Sequence, residues 1–408
     1  MAKLDRAAGT GDSRDKTRQQ VVSLIRSAGQ IARIDIAAAT GVSPATITAI
    51  TQEMIQAGLV EEVAPEAGRV SGRGRPRVSL RLRGNAHIVA GIKVSFRTLS
   101  LVLIDFEGNP LGEQVWPLSA PRVSPEALAQ DIRALLVAAT AEIGRKIEDI
   151  SGLGVGLAGT IDAIEGFVHW SPSLTARNVQ LRDMLEAALP MTVFLDNDAN
   201  LVAKAEQLFG EARGVRDFIV VTIEQGVGMG IVIDGEVFRG TRGCGAEFGH
   251  TKVHLDGAIC RCGQRGCLEA YVADYALLRE ADVSLPAAAA GATTEERLAL
   301  LFDAAHEGDP TARSIIRRAS RMFAMGLANL VNIFDPKLVI LSGERMSHDF
   351  LYSDAVLAEM HDSVVQVDAP PPEVKIHKWG DQMWAKGAAA YAMEGVTELA
   401  VRRLTVDA

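Results

Sequence analysis

The residues best placed to do chemistry sit in one short stretch. Cys260, Cys262 and Cys267 fall within the run CRCGQRGC, and His250 lies ten positions before the first of them. Three thiolates and one imidazole form a closed tetrahedral ligand set for a structural zinc ion. The glycines between them let the loop bend around it. The spacing C-x-C-x₄-C is not the commonest zinc pattern, and the plainer reading is three free buried thiols, which fits a hydrophilic segment poorly. Zinc binding is worth on the order of 10 kcal/mol in zinc-finger peptides, enough to fix such a loop. Cys244 lies outside the cluster and reads as an ordinary small core residue. Groups suited to a polyhydroxyl ligand surround the cysteines: Glu247, His250 and Glu269, with Asn197 and Asp198 earlier in the chain. Carboxylates and amides accept from and donate to sugar hydroxyls, and a metal-held loop would preorganise them. Each also has a plainer reading, since Asn197-Asp198-Ala199-Asn200 could merely cap the helix that follows.

A second chemistry is written in charge. The 408 residues carry a formal net charge of −9, which taken alone argues against nucleic acid. Residues 1–83 hold 13 Lys+Arg and 8 Asp+Glu, a local +5 that leaves −14 for the remainder. No acidic residue occurs between Ala67 and Ile104, whereas Arg69, Arg73, Arg75, Arg77, Arg81 and Arg83 crowd together. A basic cluster beside an acidic body is the footprint of a polyanion-binding arm, or more simply of a solvated linker.

The elements that position these groups follow from periodicity. Residues 16–27 place Val21, Val22, Leu24 and Ile25 on one helical face. A second helix covers Arg33 to Thr40 and stops at Gly41. Ser43 and Pro44 then launch a third through about Ala57. Ala37 is small where helices cross, and Ile36, Val42, Ile47 and Ile50 supply a core. This is a helix-turn-helix. Its third helix would enter the major groove with Ser43, Ala45, Thr46, Thr48 and Gln52 facing outward. Strands at Leu59–Val63 and Val78–Leu82 form a wing, whose loop offers Arg73 and Arg75 to a narrow minor groove. From about residue 86 strands and helices alternate, with hairpins at Ile88–Ser95/Leu99–Asp105 and again at Phe218–Ile223/Gly228–Ile233. Two mixed α/β lobes with a ligand-binding cleft between them are the economical reading. The expected divisions are 1–84 for the winged head and 85–197 for the first lobe, completed by a C-terminal helix over 382–408. Residues 198–381 form the second lobe with its zinc loop. Hydrophobic residues make up 48% and charged ones 23%, enough for a large core. No apolar run approaches the length of a membrane span and the N-terminus lacks a signal-peptide core, so a cytoplasmic protein without membrane insertion is expected.

The stretch Ile223 to His250 (IEQGVGMGIVIDGEVFRGTRGCGAEFGH), followed by CRCGQRGCLEAY, resembles the signature of the ROK family of repressors and sugar kinases. The likeness covers essentially the whole chain. It implies an actin/hexokinase-like, ribonuclease-H-like sugar-kinase-type body behind the winged helix-turn-helix. It also implies roles residue by residue: Asn197 and Asp198 as a sugar-binding pair in which the aspartate is the kinase's base, Glu247 and His250 as a second sugar-contacting pair, and Glu269 as a further contact. His250, Cys260, Cys262 and Cys267 match the zinc ligands. Gly159, in GLAGTID, matches a glycine loop that touches sugar, although its usual proline is Ala158 here.

Departures from the pattern shape the expected function. Kinase members open the body with a D-x-G-G-T phosphate loop; here the segment is Gly91-Ile92-Lys93-Val94-Ser95-Phe96. A lysine replaces the metal-handling acid, and Val94 and Phe96 crowd a place where backbone should meet phosphate. Glu224-Gln225 replaces Gly-Thr before Gly226, putting a carboxylate where a triphosphate would be repelled. Ser173-Leu174-Thr175-Ala176 also departs from a sugar-side loop of relatives. The expectation is a sugar-responsive transcriptional regulator, most simply a repressor of carbohydrate genes, that binds a double-stranded operator as a homodimer or dimer of dimers and keeps Asp198 only as a vestigial base. The alternative is an active ATP-dependent sugar kinase. The resemblance also leaves open control by docking to a transport-system protein.

Overall fold

The first helix, α1 (Ser13–Ala28), buries Val21, Val22 and Ile25 along one face. A two-residue strand β1 (Ile31–Ala32) leads into α2 (Arg33–Thr40), which ends on Gly41 at φ +68°, a left-handed geometry that glycine adopts without a side-chain penalty. Ser43 caps α3 (Pro44–Gln56) by accepting the Thr46 N–H at 3.2 Å, and Pro44 occupies the first turn. The chain turns by 118° between α2 and α3, the geometry of a helix-turn-helix. Strands β2 (Val60–Val63) and β3 (Ser79–Leu82) pair antiparallel as the wing, and β1 joins the far side of β3. Ile36, Ile47, Ile50, Met54 and Leu80 close the head's core. Val42 is only half-buried at its edge.

The computed structural model describes residues 13–63, 78–282, 292–343, 350, 353–365, 368, 370–378 and 382–406. Arg73 and Arg75, expected to reach a minor groove, lie outside the described residues.

Next comes a meander, β4 (Ile88–Val94), β5 (Thr98–Asp105) and β6 (Pro110–Pro117), followed by α4 (Pro125–Glu142). Strand β7 (Ile150–Leu157) lies parallel to β4. A small ribbon of β8 (Thr160–Asp162) and β9 (Phe167–Trp170), then α5 (Leu181–Ala188), lead to β10 (Thr192–Asn197), which is parallel to β7. Helix α6 (Asp198–Phe209) completes the lobe. Its sheet order is β10-β7-β4-β5-β6.

The theme recurs in the second half. Antiparallel β11 (Phe218–Ile223) and β12 (Val227–Ile233) carry a short β13 (Glu236–Val237). After the cysteine loop come α7 (Glu269–Val272), α8 (Asp274–Ala281), α9 (Thr294–Glu307) and α10 (Pro310–Phe334). Strand β14 (Leu338–Ser342), α11 (Asp354–Ser363) and β15 (Glu373–His377) finish a sheet ordered β13-β12-β11-β14-β15.

The last helix, α12 (Gln382–Val406), returns to the first lobe. A Cβ at Gly91 would sit 2.0 Å from the Ala385 carbonyl oxygen, and one at Gly154 would sit 1.9 Å from that of Ala388. Backbone therefore meets backbone where α12 crosses β4 and β7, which only glycine permits.

The chain divides into two compact units, one of residues up to 208 together with 384 onward, the other of 209–383. The first runs past the expected 197/198 division because α6 packs into it: Leu201 fills the space beside Gly156, and its carbonyl oxygen lies 1.9 Å from where a Gly387 Cβ would stand. The head groups with the first lobe through built contacts. Arg26 of α1 donates to the Phe106 carbonyl at 3.3 Å and to Thr397 Oγ1 of α12 at 3.2 Å, with its guanidinium 5.1 Å from the centre of the Phe106 ring. His87 sets its ring edge against Phe106 and shares a 2.8 Å hydrogen bond with Ser151 Oγ.

Candidate functional site

On the head, Ser43, Ala45, Thr46, Thr48 and Gln52 are all exposed, as the helical spacing implies. Their hydroxyls are not equally available. Ser43 Oγ is engaged as the cap and lies 2.8 Å from Thr46 Oγ1, while Thr48 Oγ1 donates back to the Pro44 carbonyl at 2.8 Å. Sequence reasoning missed what fixes this helix. Arg18 of α1 is buried and donates to Asp15 at 2.7 Å and to Glu53 of α3 at 2.6 Å, and Arg14 also pairs with Glu53. A polar face on α1 at a spacing of four, Arg14 and Arg18, was the available signal.

In the first unit, the turn from β10 into α6 brings Asn197 and Asp198 to the glycine loop. Asn197 Nδ2 donates to the Gly159 carbonyl at 2.8 Å, and Asn197 Oδ1 accepts the Ala199 N–H at 2.9 Å. Asp198 Oδ1 accepts the same N–H at 2.9 Å. The capping role is therefore real, and it aims both side chains. Beneath them, buried Asp196 accepts from the Asn197 N–H at 2.7 Å and from Asn200 Nδ2 at 2.9 Å. Gly159 has φ +125°, and a Cβ there would lie 2.2 Å from the Trp170 carbonyl oxygen, so the loop tolerates no side chain.

Burial raises the Asp198 carboxyl above the ordinary aspartate range, with the charge of Lys93 opposing. Lys93, on β4, holds its ammonium 3.7 Å from the centre of the Trp384 indole at the start of α12, a cation–π contact. A cation held by protein thus stands in the segment where the family's kinases carry an acid. Gly91 serves helix packing. Val94 is buried in the lobe's core and crowds no ligand, contrary to the expectation from its size; of the two bulky residues only Phe96 is exposed. The departure from a phosphate loop therefore rests on Lys93 and not on Val94. In the 173–176 segment, Leu174 and Ser173 are buried, and the Val123 N–H donates to the Ser173 carbonyl at 3.0 Å.

In the second unit the loop before α7 gathers His250, Cys260, Cys262 and Cys267, with one ligand atom from each lying within 4.8 Å of the others. Cys262 Sγ and Cys267 Sγ are 3.7 Å apart, and His250 Nδ1 is 3.6 Å from Cys260 Sγ. Two thiolates each about 2.3 Å from a tetrahedral ion stand about 3.8 Å apart, close to the Cys262–Cys267 separation, so the donor set could hold a metal ion. The loop folds to this shape through Gly263 at φ +87° and Gly266 at φ +75°. The Lys252 ammonium donates to Cys267 Sγ at 2.9 Å. Burial pushes the Cys260 thiol up to about 12, so a bound cation is what would hold it as thiolate. Cys244 is half-buried in the turn after β13, with its thiol 3.1 Å from the Arg242 carbonyl. It is not the core residue its isolation suggested, because that turn runs along the surface of the unit.

His250 faces two ways: Nδ1 toward Cys260, and Nε2 toward Glu247, whose carboxylate is exposed and 4.0 Å away. Glu269, at the start of α7, accepts the Val227 N–H at 3.4 Å. It thereby ties the cysteine loop to the β11–β12 turn, where Glu224 and Gln225 stand.

A winged helix-turn-helix head, a body of two repeated α/β sheets, and a Cys₃His loop with Glu247 beside His250 and Glu269 beside Cys260 together define the class. The chain belongs to the ROK family: that family's model matches residues 89–394, and a winged helix-turn-helix DNA-binding model matches residues 14–61. The DNA-binding transcriptional dual regulator NagC of Escherichia coli K12 is 29% identical over 342 residues, 82% of each chain. The xylose repressor of Caldicellulosiruptor bescii is 30% identical over 77% of this chain and 79% of its own. Among solved structures, a ROK family transcriptional regulator described as a homologue of the Escherichia coli Mlc protein superposes with a TM-score of 0.80 at 24% identity, covering 97% of this chain and 99% of its own. A ROK family glucokinase from Streptomyces griseus, in complex with glucose and AMPPNP, gives 0.62 at 29% identity over 75% of this chain and 99% of its own. Among the described residues, no single helix is long and apolar enough to cross a membrane.

Proposed function

We propose that the chain is a cytoplasmic, sugar-responsive transcriptional regulator, most simply a repressor of carbohydrate uptake or catabolic genes, whose kinase-like body binds sugar and does not transfer phosphate. The observation that carries this is Lys93. It puts a fixed ammonium over Trp384 in the segment where a sugar kinase needs a magnesium-handling carboxylate. Sugar hydroxyls are taken by Gly159, Asn197, Asp198, Glu247, His250 and Glu269, and zinc by His250, Cys260, Cys262 and Cys267. Zinc would act structurally, holding the cysteine loop and the His250 imidazole in place. Ser43, Ala45, Thr46, Thr48 and Gln52 read the major groove, with Arg73 and Arg75 at the wing, on an operator whose symmetry calls for a homodimer.

Regulation is linkage, in which sugar binds two states of the chain with different affinity and so shifts DNA binding. The first unit supplies a route. Helix α12 carries Trp384 beneath Lys93 near one end and Thr397, the Arg26 acceptor, 13 residues on, about 20 Å away along a rigid helix. The likeness to NagC, a dual regulator, and to the xylose repressor supports this reading. Docking to a transport-system protein would add a second input to the same body.

The test against the kinase reading is a coupled assay with the purified full chain, ATP, magnesium and a panel of aldoses, amino sugars and their N-acetyl forms. No turnover is expected. Turnover that disappears in Asp198→Asn would make the chain an enzyme.

A further inference from the structure

The metal ligands and the sugar-contacting carboxylate share a partner that the family motif does not include. Tyr275, on α8, directs its hydroxyl at Cys260 Sγ, 3.5 Å away, and at Glu269 Oε1, 3.3 Å away. Its ring is half-buried and covered by the Arg261 guanidinium, 4.0 Å from the ring centre, and the Arg261 N–H donates to the same oxygen at 3.4 Å. A phenol is protonated at neutral pH. A phenol has one proton to give, and here two acceptors stand within reach of it: a sulfur that becomes a thiolate on metal binding, and a carboxylate.

We infer that Tyr275 is a positioning residue that couples the metal site to the ligand-binding carboxylate by sharing one hydroxyl proton between Cys260 and Glu269. The inference rests on the metal reading above. When a ligand hydroxyl donates to Glu269, the carboxylate claims less of the Tyr275 proton, which swings toward Cys260 and supports the thiolate that the ion requires, so ligand and metal favour each other. Conversely, metal binding at Cys260 draws the proton off Glu269 and leaves the carboxylate a stronger acceptor for a sugar hydroxyl. His250 joins metal and sugar chemistry through its own ring; Tyr275 does so from outside the ligand set. Cys260 Sγ also lies 3.5 Å from Glu269 Oε1 directly, so a through-space path exists, and the experiment separates the two.

The full chain is loaded with cobalt(II), and the near-ultraviolet thiolate-to-cobalt band is recorded for a double-mutant cycle. Glu269→Gln is expected to move the band when Tyr275 is present, and to move it by about half as much or less in the Tyr275→Phe background. Lys252→Met is the control for a general disturbance of the loop. It removes the ammonium on Cys267 and shifts the band itself, yet leaves the Glu269→Gln effect at full size. An equal Glu269→Gln shift with and without the hydroxyl, or none in either, overturns the coupling while leaving the metal site standing. A chain that takes up no cobalt overturns the metal reading and the coupling with it.

Discussion

At the scale of single residues, chemistry is set by what each group is denied or given. His87 has lost water: burial, then the nearby charge of Arg403, pull its imidazole from the ordinary 6.5 down to about 4. Between those values the unfolded chain takes up a proton that the folded chain refuses. The contribution to stability is therefore full above pH 6.5 and is lost as pH falls toward 4, by up to about 3 kcal/mol. Urea midpoints followed from pH 7.5 to 4.5 should fall steeply below 6.5 in the native chain and clearly less in His87→Gln. The cysteines behave in the opposite sense, since they wait for a cation. Cys260→Ser should abolish stoichiometric metal, read by elemental analysis, and lower the melting temperature by about 5–10 °C, as a loss of about 2–3 kcal/mol does in a domain of this size. An unchanged metal content would place the ion elsewhere.

At the scale of elements, local rules held wherever a residue's role is local. Gly41, Ser43 and Pro44 mark the helix-turn-helix because a left-handed stop, a side-chain cap and a fixed φ are properties of those residues alone. The hairpins at β4–β5 and β11–β12 and the Cys₃His loop were legible for the same reason. What was not legible depends on distant partners. Strand β1 exists only because β3 arrives to pair with it, and the Arg18–Glu53 pair joins positions 35 residues apart. Gly91 reads as part of a phosphate loop until α12 appears, nearly three hundred residues later, pressed against it. That contact makes a prediction: Gly91→Ala drives a Cβ to within 2.0 Å of the Ala385 carbonyl oxygen, and backbone cannot swing aside as a flexible side chain can. Denaturant unfolding should show a loss of about 2–3 kcal/mol, the upper range for overpacking. A neutral effect would mean that α12 is free to shift on the sheet. The candidate sugar residues show the same division. Asn197 and Asp198 could be named from motif, but their aim comes from Asp196, Gly159 and the start of α6, which no spacing rule contains.

At the scale of the whole molecule, the −9 total resolves into a basic head carried by an acidic body, and the head is not merely tethered. Arg26 reaches from α1 to both Phe106 and α12, and burial lowers its guanidinium to about 10 with Glu394 and Asp105 opposing, so it stays charged at neutral pH. This contact belongs neither to α3 nor to the residues proposed to take sugar. Arg26→Ala should therefore leave operator affinity within about threefold of native while reducing the response to sugar about tenfold or more, a coupling energy of about 1.4 kcal/mol or greater. Fluorescence anisotropy with labelled duplex reads both quantities, and equal losses in both would make Arg26 a structural residue of the head. The central claim is that this kinase-like body governs DNA affinity through a sugar. Its most direct test is the same titration on the native full chain: a duplex enriched by selection from random sequence, at fixed salt, with and without each member of a panel of monosaccharides and their phosphates and no ATP. The account predicts that at least one sugar changes Kd by about tenfold or more. A chain that binds its selected duplex with the same Kd in the presence of every sugar contradicts it.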